Sequence, residues 1–232
     1  MTVIETLKSL ILAPRLAYRE IEQHGRAWFP LLLLMLGNAL IVIWYFQVVD
    51  IAWLRDYLVQ NSPELGVPEQ RKFLESAVNR STLIGTSLVT LCVSIPLFTA
   101  MVALYFSVVG KTLALEQRFG QWFAFAAWTS APAIALVPVM ALRLLLRDSN
   151  HIAQDSLDPL SLNQLLLHAG PDSVWKPLFE QIELSQVFSI ALATIGLALW
   201  SGRGRMQCLM LVLLPYVVIY GLWAWRIVAT SE

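Results

Sequence analysis

Charge is what this sequence has least of. Only 14% of its residues are Asp, Glu, Lys or Arg, against about a quarter in an ordinary globular domain, so a water-facing surface of normal polarity cannot be built from it. Lys plus Arg equals Asp plus Glu at 16 each, which leaves no basic excess for nucleic acid. Cysteine is nearly missing. Cys92 and Cys208 both lie inside apolar runs, where a thiol acts as a small buried hydrophobe rather than a disulfide partner or nucleophile. The three histidines, His24, His151 and His168, show no metal-ligand spacing. Also missing are the Ser–His pairs, paired aspartates and HExxH motif of intramembrane proteases, and the charges between Arg143 and Asp172 are too dispersed to converge on a lipid headgroup. These absences argue against an enzyme and predict no cofactor and no metal.

What remains is apolar. Hydrophobic residues make up 57% of the chain and nine are Trp, a residue that gathers where lipid meets water. A bilayer core takes about 20 apolar residues in a helix, and five segments meet or approach that length: Trp28 to Val49, Thr82 to Val109, Trp122 to Leu142, Leu184 to Trp200 and Met206 to Trp225. Pro96, Pro132, Pro138 and Pro215 fall inside them, and neighbouring helices can satisfy the carbonyls they free. The expected fold is all-α, a membrane helix bundle of five transmembrane helices plus short interfacial amphipathic helices. Residues 1–27 form a lead-in and 28–228 the membrane domain. The opening "MTVIETLKSLILAPRLAYRE" carries Glu5, is broken by Lys8 and meets Pro14-Arg15, so it does not read as a cleavable signal and the first span inserts itself.

With the N-terminus inside, eight Lys and Arg fall on each side, but the inner segments are shorter and denser in charge. The interfacial basic residues among them are Arg15, Arg19 and Arg26 of the lead-in and Arg203 and Arg205 of "SGRGR", the tight link that makes the last two spans antiparallel neighbours. Short loops and heavy use of Leu, Ala and Trp suggest a bacterial inner membrane, N-terminus cytoplasmic and C-terminus outside.

Three pieces outside the spans read as surface helices. Val3 to Ile11 places Ile4, Leu7 and Ile11 together, and after Pro14 the residues Arg15, Arg19, Glu22 and Arg26 share a face suited to an anionic leaflet. Pro68 to Val78 groups Phe73, Ala77 and Val78. In "DSLDPLSLNQLLLH", Asp158 reads as an N-cap, Pro159 as the first helical residue and Gly170-Pro171 as a stop. The spacing predicts a helix over 159–168, Leu162, Leu165 and Leu166 toward the bundle or the acyl boundary, with Ser161, Gln164 and His168 in water and no metal or catalytic role for His168.

Polar groups within spans are few, and each is a functional candidate. Asn38 is the strongest polar group in the first span. In "FEQIELSQ", Glu180, Glu183 and Gln186 recur at helical spacing and form one stripe entering the fourth span, which lines a polar cavity or ends the helix at headgroup level. Ala127, Ala131 and Ala135, and Ser189 and Ala193, recur at four-residue spacing and allow close helix approach.

The lead-in "SLILAPRLAYREI" running into "WFPLLLL", the "L-x-x-P-x-x-A-Y/F" pattern, the loop "LDPLSLNQLLLH…VWKPL" and five spans ending in a tight turn together resemble the YIP family of Ypt/Rab-interacting membrane proteins, in particular its short bacterial branch. The resemblance implies five spans, a cytoplasmic N-terminus and a non-enzymatic role in membrane organisation or trafficking. Eukaryotic members contact small GTPases and carry a longer cytosolic region with its own motif. That motif is not visible here, so a small-GTPase partner is not expected. Partners are expected to be membrane lipids, another membrane protein or a second copy in a homo-oligomer. The alternative is a small lipid or ion transporter, or a subunit of one, that uses the polar stripe.

Overall fold

The computed structural model describes residues 2–61, 78–170 and 173–230. Among them the chain forms ten α-helices and no strand: α1 (Val3–Leu12), α2 (Pro14–His24), α3 (Trp28–Val48), α4 (Ile51–Asn61), α5 (Arg80–Thr112), α6 (Phe119–Thr129), α7 (Leu136–Leu145), α8 (Lys176–Gln181), α9 (Leu184–Ser201) and α10 (Arg205–Thr230). Five candidate spans result: α3, α5, α9 and α10, and the run Phe119–Leu145 in which a 3₁₀ turn, Ala131–Ala135, joins α6 to α7. This is the helical membrane bundle that the apolar runs imply. The helix expected from Pro68 onward and the Pro171 stop lie outside the described residues.

The helix ends follow local chemistry. Thr2 and Glu5 form a reciprocal cap on α1: the Thr2 hydroxyl accepts from the Glu5 N–H (3.2 Å) and the Glu5 carboxylate from the Thr2 N–H (2.6 Å), and those bonds hold the Glu5 carboxyl below its usual range. Pro14 opens α2 and Gly25, left-handed at φ 54°, closes it. Gly202 (φ 65°) returns its N–H to the Ala198 carbonyl and ends α9, so α9 and α10 reverse within three residues. Pro132 stands where α6 gives way to the tighter turn. The alanine stripe ends there with it: Ala127 and Ala131 are buried, Ala135 is exposed.

The chain divides into two compact units. Unit 1 comprises residues 1–34, 94–135 and 183–232; unit 2 comprises 35–93 and 136–182. Unit 1 closes around aromatic rings. Phe125 meets Phe106 at 4.9 Å between centroids, Trp200 at 5.0 Å and Tyr18 at 5.2 Å, and Trp122 meets Trp200 at 5.0 Å. Two glycines let the backbones approach: a Cβ on Gly196 would lie 2.6 Å from both Phe125 and Tyr18, and one on Gly110 would collide with the Trp122 ring.

Unit 2 has its own core of Ile41, Tyr45, Phe46, Val49, Leu54, Leu144 and Leu157. The Tyr45 hydroxyl donates to the Ile152 carbonyl (2.9 Å), and Asp50 caps α4 by accepting from the N–H groups of Ala52 (2.9 Å) and Trp53 (3.2 Å). At Gly37 an added Cβ would sit 2.7 Å from Val137 Cγ2, so α3 and α7 touch there.

The stretch 159–168 differs from its expected form. Asp158 does not cap a helix; its Oδ1 accepts from the Leu160 N–H (2.9 Å) in a local turn, and burial pushes its carboxyl above the usual value against that bond. Helical structure is confined to one wide turn, Asn163–Leu167. Ser161, expected in water, is buried, as is Asn163. The reason is hydrogen bonding. The Asn163 side chain accepts from the Ala169 N–H (2.8 Å) and Ser161 Oγ from the Gln164 N–H (3.3 Å), so these polar groups are consumed inside the loop. Leu165, Leu166 and Leu167 are exposed, and so is His168, as expected.

Gly196→Val should overpack the aromatic core and cost about 1–3 kcal/mol, read as a lowered thermal unfolding midpoint in detergent. Gly120→Ala, where an added Cβ meets nothing within 4 Å, should leave the midpoint unmoved.

Candidate functional site

The polar residues entering the fourth span do not form one stripe. α8 ends at Gln181, Ile182 and Glu183 are extended, and α9 starts at Leu184. The Leu162 N–H donates to the Ile182 carbonyl at 2.7 Å, which takes the acceptor that a continuous helix would have used. Glu180 therefore belongs to unit 2, where it pairs with Lys176 (3.5 Å) and lines a cavity of about 350 Å³ with Phe46, Leu54, Tyr57 and Leu83. Asn38 is half-buried on α3 in the same unit, one residue beyond the Gly37 contact.

Glu183 and Gln186 line a different cavity, of about 490 Å³, lying wholly within unit 1. Its walls come from α5 (Met101, Tyr105, Phe106), α6 (Ala126, Thr129), α9 (Ser185, Gln186, Ser189, Ala193) and α10 (Val212, Pro215, Tyr216). Glu183 holds its place through the Ser185 hydroxyl, which donates to Oε2 at 2.8 Å, and Gln186 Oε1 accepts from the Tyr220 hydroxyl at 3.1 Å. Two backbone irregularities face this space. Pro215 in α10 removes the N–H that would bond Leu211, and the Tyr105 hydroxyl donates to the Leu211 carbonyl instead. α6 stops at Ser130, whose hydroxyl (3.0 Å) and N–H (3.1 Å) both donate to the Ala126 carbonyl.

The cavity is thus graded. Polar groups gather at the start of α9, apolar ones lie deeper, and Glu183 is the one charged side chain among the lining residues. The lining hydroxyls have no histidine beside them, and among the described residues no cluster of His, Cys, Asp or Glu could hold a metal. The space suits an amphiphile with its polar end at Glu183. Tyr105 and Tyr216 were not evident as lining residues from the sequence, because an aromatic in an apolar run carries no pattern that separates cavity from lipid.

The basic residues cluster with the lead-in. Arg15 and Arg19 are exposed on α2, opposite its buried face of Ala17, Tyr18 and Ile21. That face is fixed to the bundle: the fully buried Tyr18 hydroxyl shares a hydrogen bond with the Thr129 hydroxyl (2.9 Å), the Trp200 indole donates to the Tyr18 carbonyl (3.2 Å), and Gln117 and Gln121 donate to the Glu22 side chain and carbonyl, each at 2.8 Å. The half-buried Arg26 offers its carbonyl to the Trp128 indole (3.1 Å). Arg203 and Arg205, exposed, follow closely after Trp200. The lead-in, the α5–α6 connection and the α9–α10 turn therefore share one end of unit 1, which is the grouping that alternation of five spans requires.

These observations meet the comparison with known families: the Yip1 domain model matches residues 8–226. The chain belongs to the Yip1 domain family. The match starts inside α1, so the docked α2, the first four spans and most of the fifth fall within it. Comparison with curated proteins and with solved structures gave no match.

If water reaches the graded cavity, cysteines placed along α9 will report it. In a Cys92→Ser background, Ser189→Cys should react with a small methanethiosulfonate reagent several-fold faster than the native Cys208, which is fully buried, as followed by mass spectrometry.

Proposed function

We propose that this Yip1 family protein is a non-catalytic membrane protein that organises the bilayer or proteins within it. One observation carries the reading: the α1–α2 lead-in is clamped to the spans on one side and presents unpartnered apolar side chains on the other. Ile4 and Leu16 are more than half exposed, and Ile11 and Leu12 are 82% and 83% exposed. Next to exposed Arg15 and Arg19 they form an amphipathic wedge that suits one leaflet of an anionic membrane. On this reading residues 1–27 lie at the cytoplasmic face of a bacterial inner membrane, residues 28–228 form the membrane domain, and the C-terminus lies outside. Partners are lipids, another membrane protein or a second copy, not a small GTPase.

A second reading, a small lipid or ion transporter, is favoured by the graded cavity beside Glu183 and Gln186. It no longer rests on a continuous stripe with Glu180. A flux or lipid-transfer assay in liposomes comparing wild type with Glu183→Gln separates the two, since the organising role predicts no flux in either.

Replacing Ile11 and Leu12 by Asp removes two interfacial side chains worth about 1.5–3 kcal/mol each when buried. Reconstituted at equal density, the double variant should remodel anionic vesicles less than wild type by electron microscopy while keeping its thermal midpoint. Undiminished remodelling would remove the wedge from consideration.

A further inference from the structure

The C-terminal end of α7 borders another cavity, of about 440 Å³, lying within unit 2. Val139, Leu142, Arg143 and Leu146 stand at i, i+3, i+4 and i+7 and line it from one helix face. The Leu146 N–H still bonds the Leu142 carbonyl at 2.9 Å, so the helical course carries through Leu146. Arg147 follows. Its Nη1 donates to the Leu144 carbonyl (2.7 Å) and its Nε to Asn150 Oδ1 (3.4 Å), which leaves three of a guanidinium's five N–H groups uncommitted among the described residues. Arg143 makes no hydrogen bond or ion pair among the described residues.

The remaining wall comes from the strap after α7, with Ile152, Ser156 and Pro159, and from His151, whose ring is stacked on Trp53 at 5.2 Å and 7°. Along α7 Val139 and Leu142 precede Arg143, while Leu146 and Arg147 follow Leu145, the last residue of the helix. Leu142 and Leu146 are both more than half exposed, so apolar side chains and two guanidiniums share one groove at the end of the third span. Asp148 is the one carboxylate in the lining, so two guanidiniums outweigh it.

From this juxtaposition we infer a lipid site, independent of the functional readings above. An anionic phospholipid seats here, its phosphate on Arg143 and Arg147 and one acyl chain along Val139 and Leu142. Guanidinium matches phosphate in a bidentate fashion that a point charge cannot. A free phosphate would leave the apolar half of the groove unused. A zwitterionic lipid would bring its own cation against two arginines.

The test is native mass spectrometry of the full-length protein released from detergent, titrated with phosphatidylglycerol and, in parallel, with phosphatidylcholine. Phosphatidylglycerol adducts should persist at collision energies that strip phosphatidylcholine. Arg143→Gln should weaken retention roughly tenfold, the loss of one charge-assisted contact, with circular dichroism and thermal midpoint unchanged, because Arg143 has no partner to lose among the described residues. Arg143→Lys should recover part of the loss. Arg226→Gln, an exposed arginine of unit 1, should change nothing. The assignment fails if Arg143→Gln retains phosphatidylglycerol as wild type does, if Arg226→Gln lowers it equally, or if phosphatidylcholine is held as firmly. It also fails if millimolar inorganic phosphate alone binds in an Arg143-dependent way and displaces the lipid, which would make this a soluble-anion site.

Discussion

Within hydrocarbon, a carbonyl that loses its helical N–H has no water to turn to. Much of unit 1 is organised by that constraint. Pro215 strips the donor from Leu211, and the Tyr105 hydroxyl of α5 supplies another. The Arg26 carbonyl, just ahead of α3, takes the Trp128 indole of α6. Each of these bonds ties two helices that lipid-facing side chains alone would not hold together, since apolar contact between spans competes with equally apolar lipid. Pro215 thus helps to specify which helices are neighbours. It does not simply bend the one that contains it.

Tyr18 extends the same logic outside the spans. Its ring is fully buried against Phe125, in a place where an unbonded phenol would be costly, and its hydroxyl finds Thr129 at the last residue of α6. Burial pushes that phenol well above its ordinary pKa, so it stays neutral and stays bonded. With Trp200 on its carbonyl and two glutamines on Glu22, α2 becomes a structural element of the bundle's end. A peripheral helix would move freely; this one is fixed, so the apolar residues on its outer side are held at a set position and angle to the spans of unit 1.

The sequence was most readable where one physical variable dominates. Five apolar runs of adequate length gave five spans, and Gly202 with two arginines gave the reversal, because bilayer thickness and backbone strain each permit few alternatives. Reading by periodicity worked less well where hydrogen bonds outcompete it. Glu180, Glu183 and Gln186 keep helical spacing in the sequence, yet a single backbone bond from Leu162 to Ile182 interrupts the helix between them. Ser161 reads as part of a solvated face with Gln164 and His168, yet its hydroxyl and the Asn163 side chain are found closing a loop. The lead-in was read from its arginines, of which Arg15 and Arg19 are exposed and Arg26 is half-buried, while its opposite face of Ala17, Tyr18 and Ile21 carried the packing and could have been found at the same spacing.

The failures of periodicity coincide with the candidate site. Irregular backbone at membrane depth is tolerated only where protein buries it or where it lines a cavity, so a helix break and a cavity are two descriptions of one arrangement. The extended Ile182-Glu183 step, the end of α6 at Ser130 and the Pro215 interruption all border the same 490 Å³ space. A continuous helix would have carried Glu183 onto a helix face; the break instead makes it the cap residue just ahead of the span, next to the positive end of the helix dipole, with its carboxylate held by Ser185. A charge that would be expensive inside hydrocarbon is stabilised at that one position, and this is why the cavity has a polar end at all.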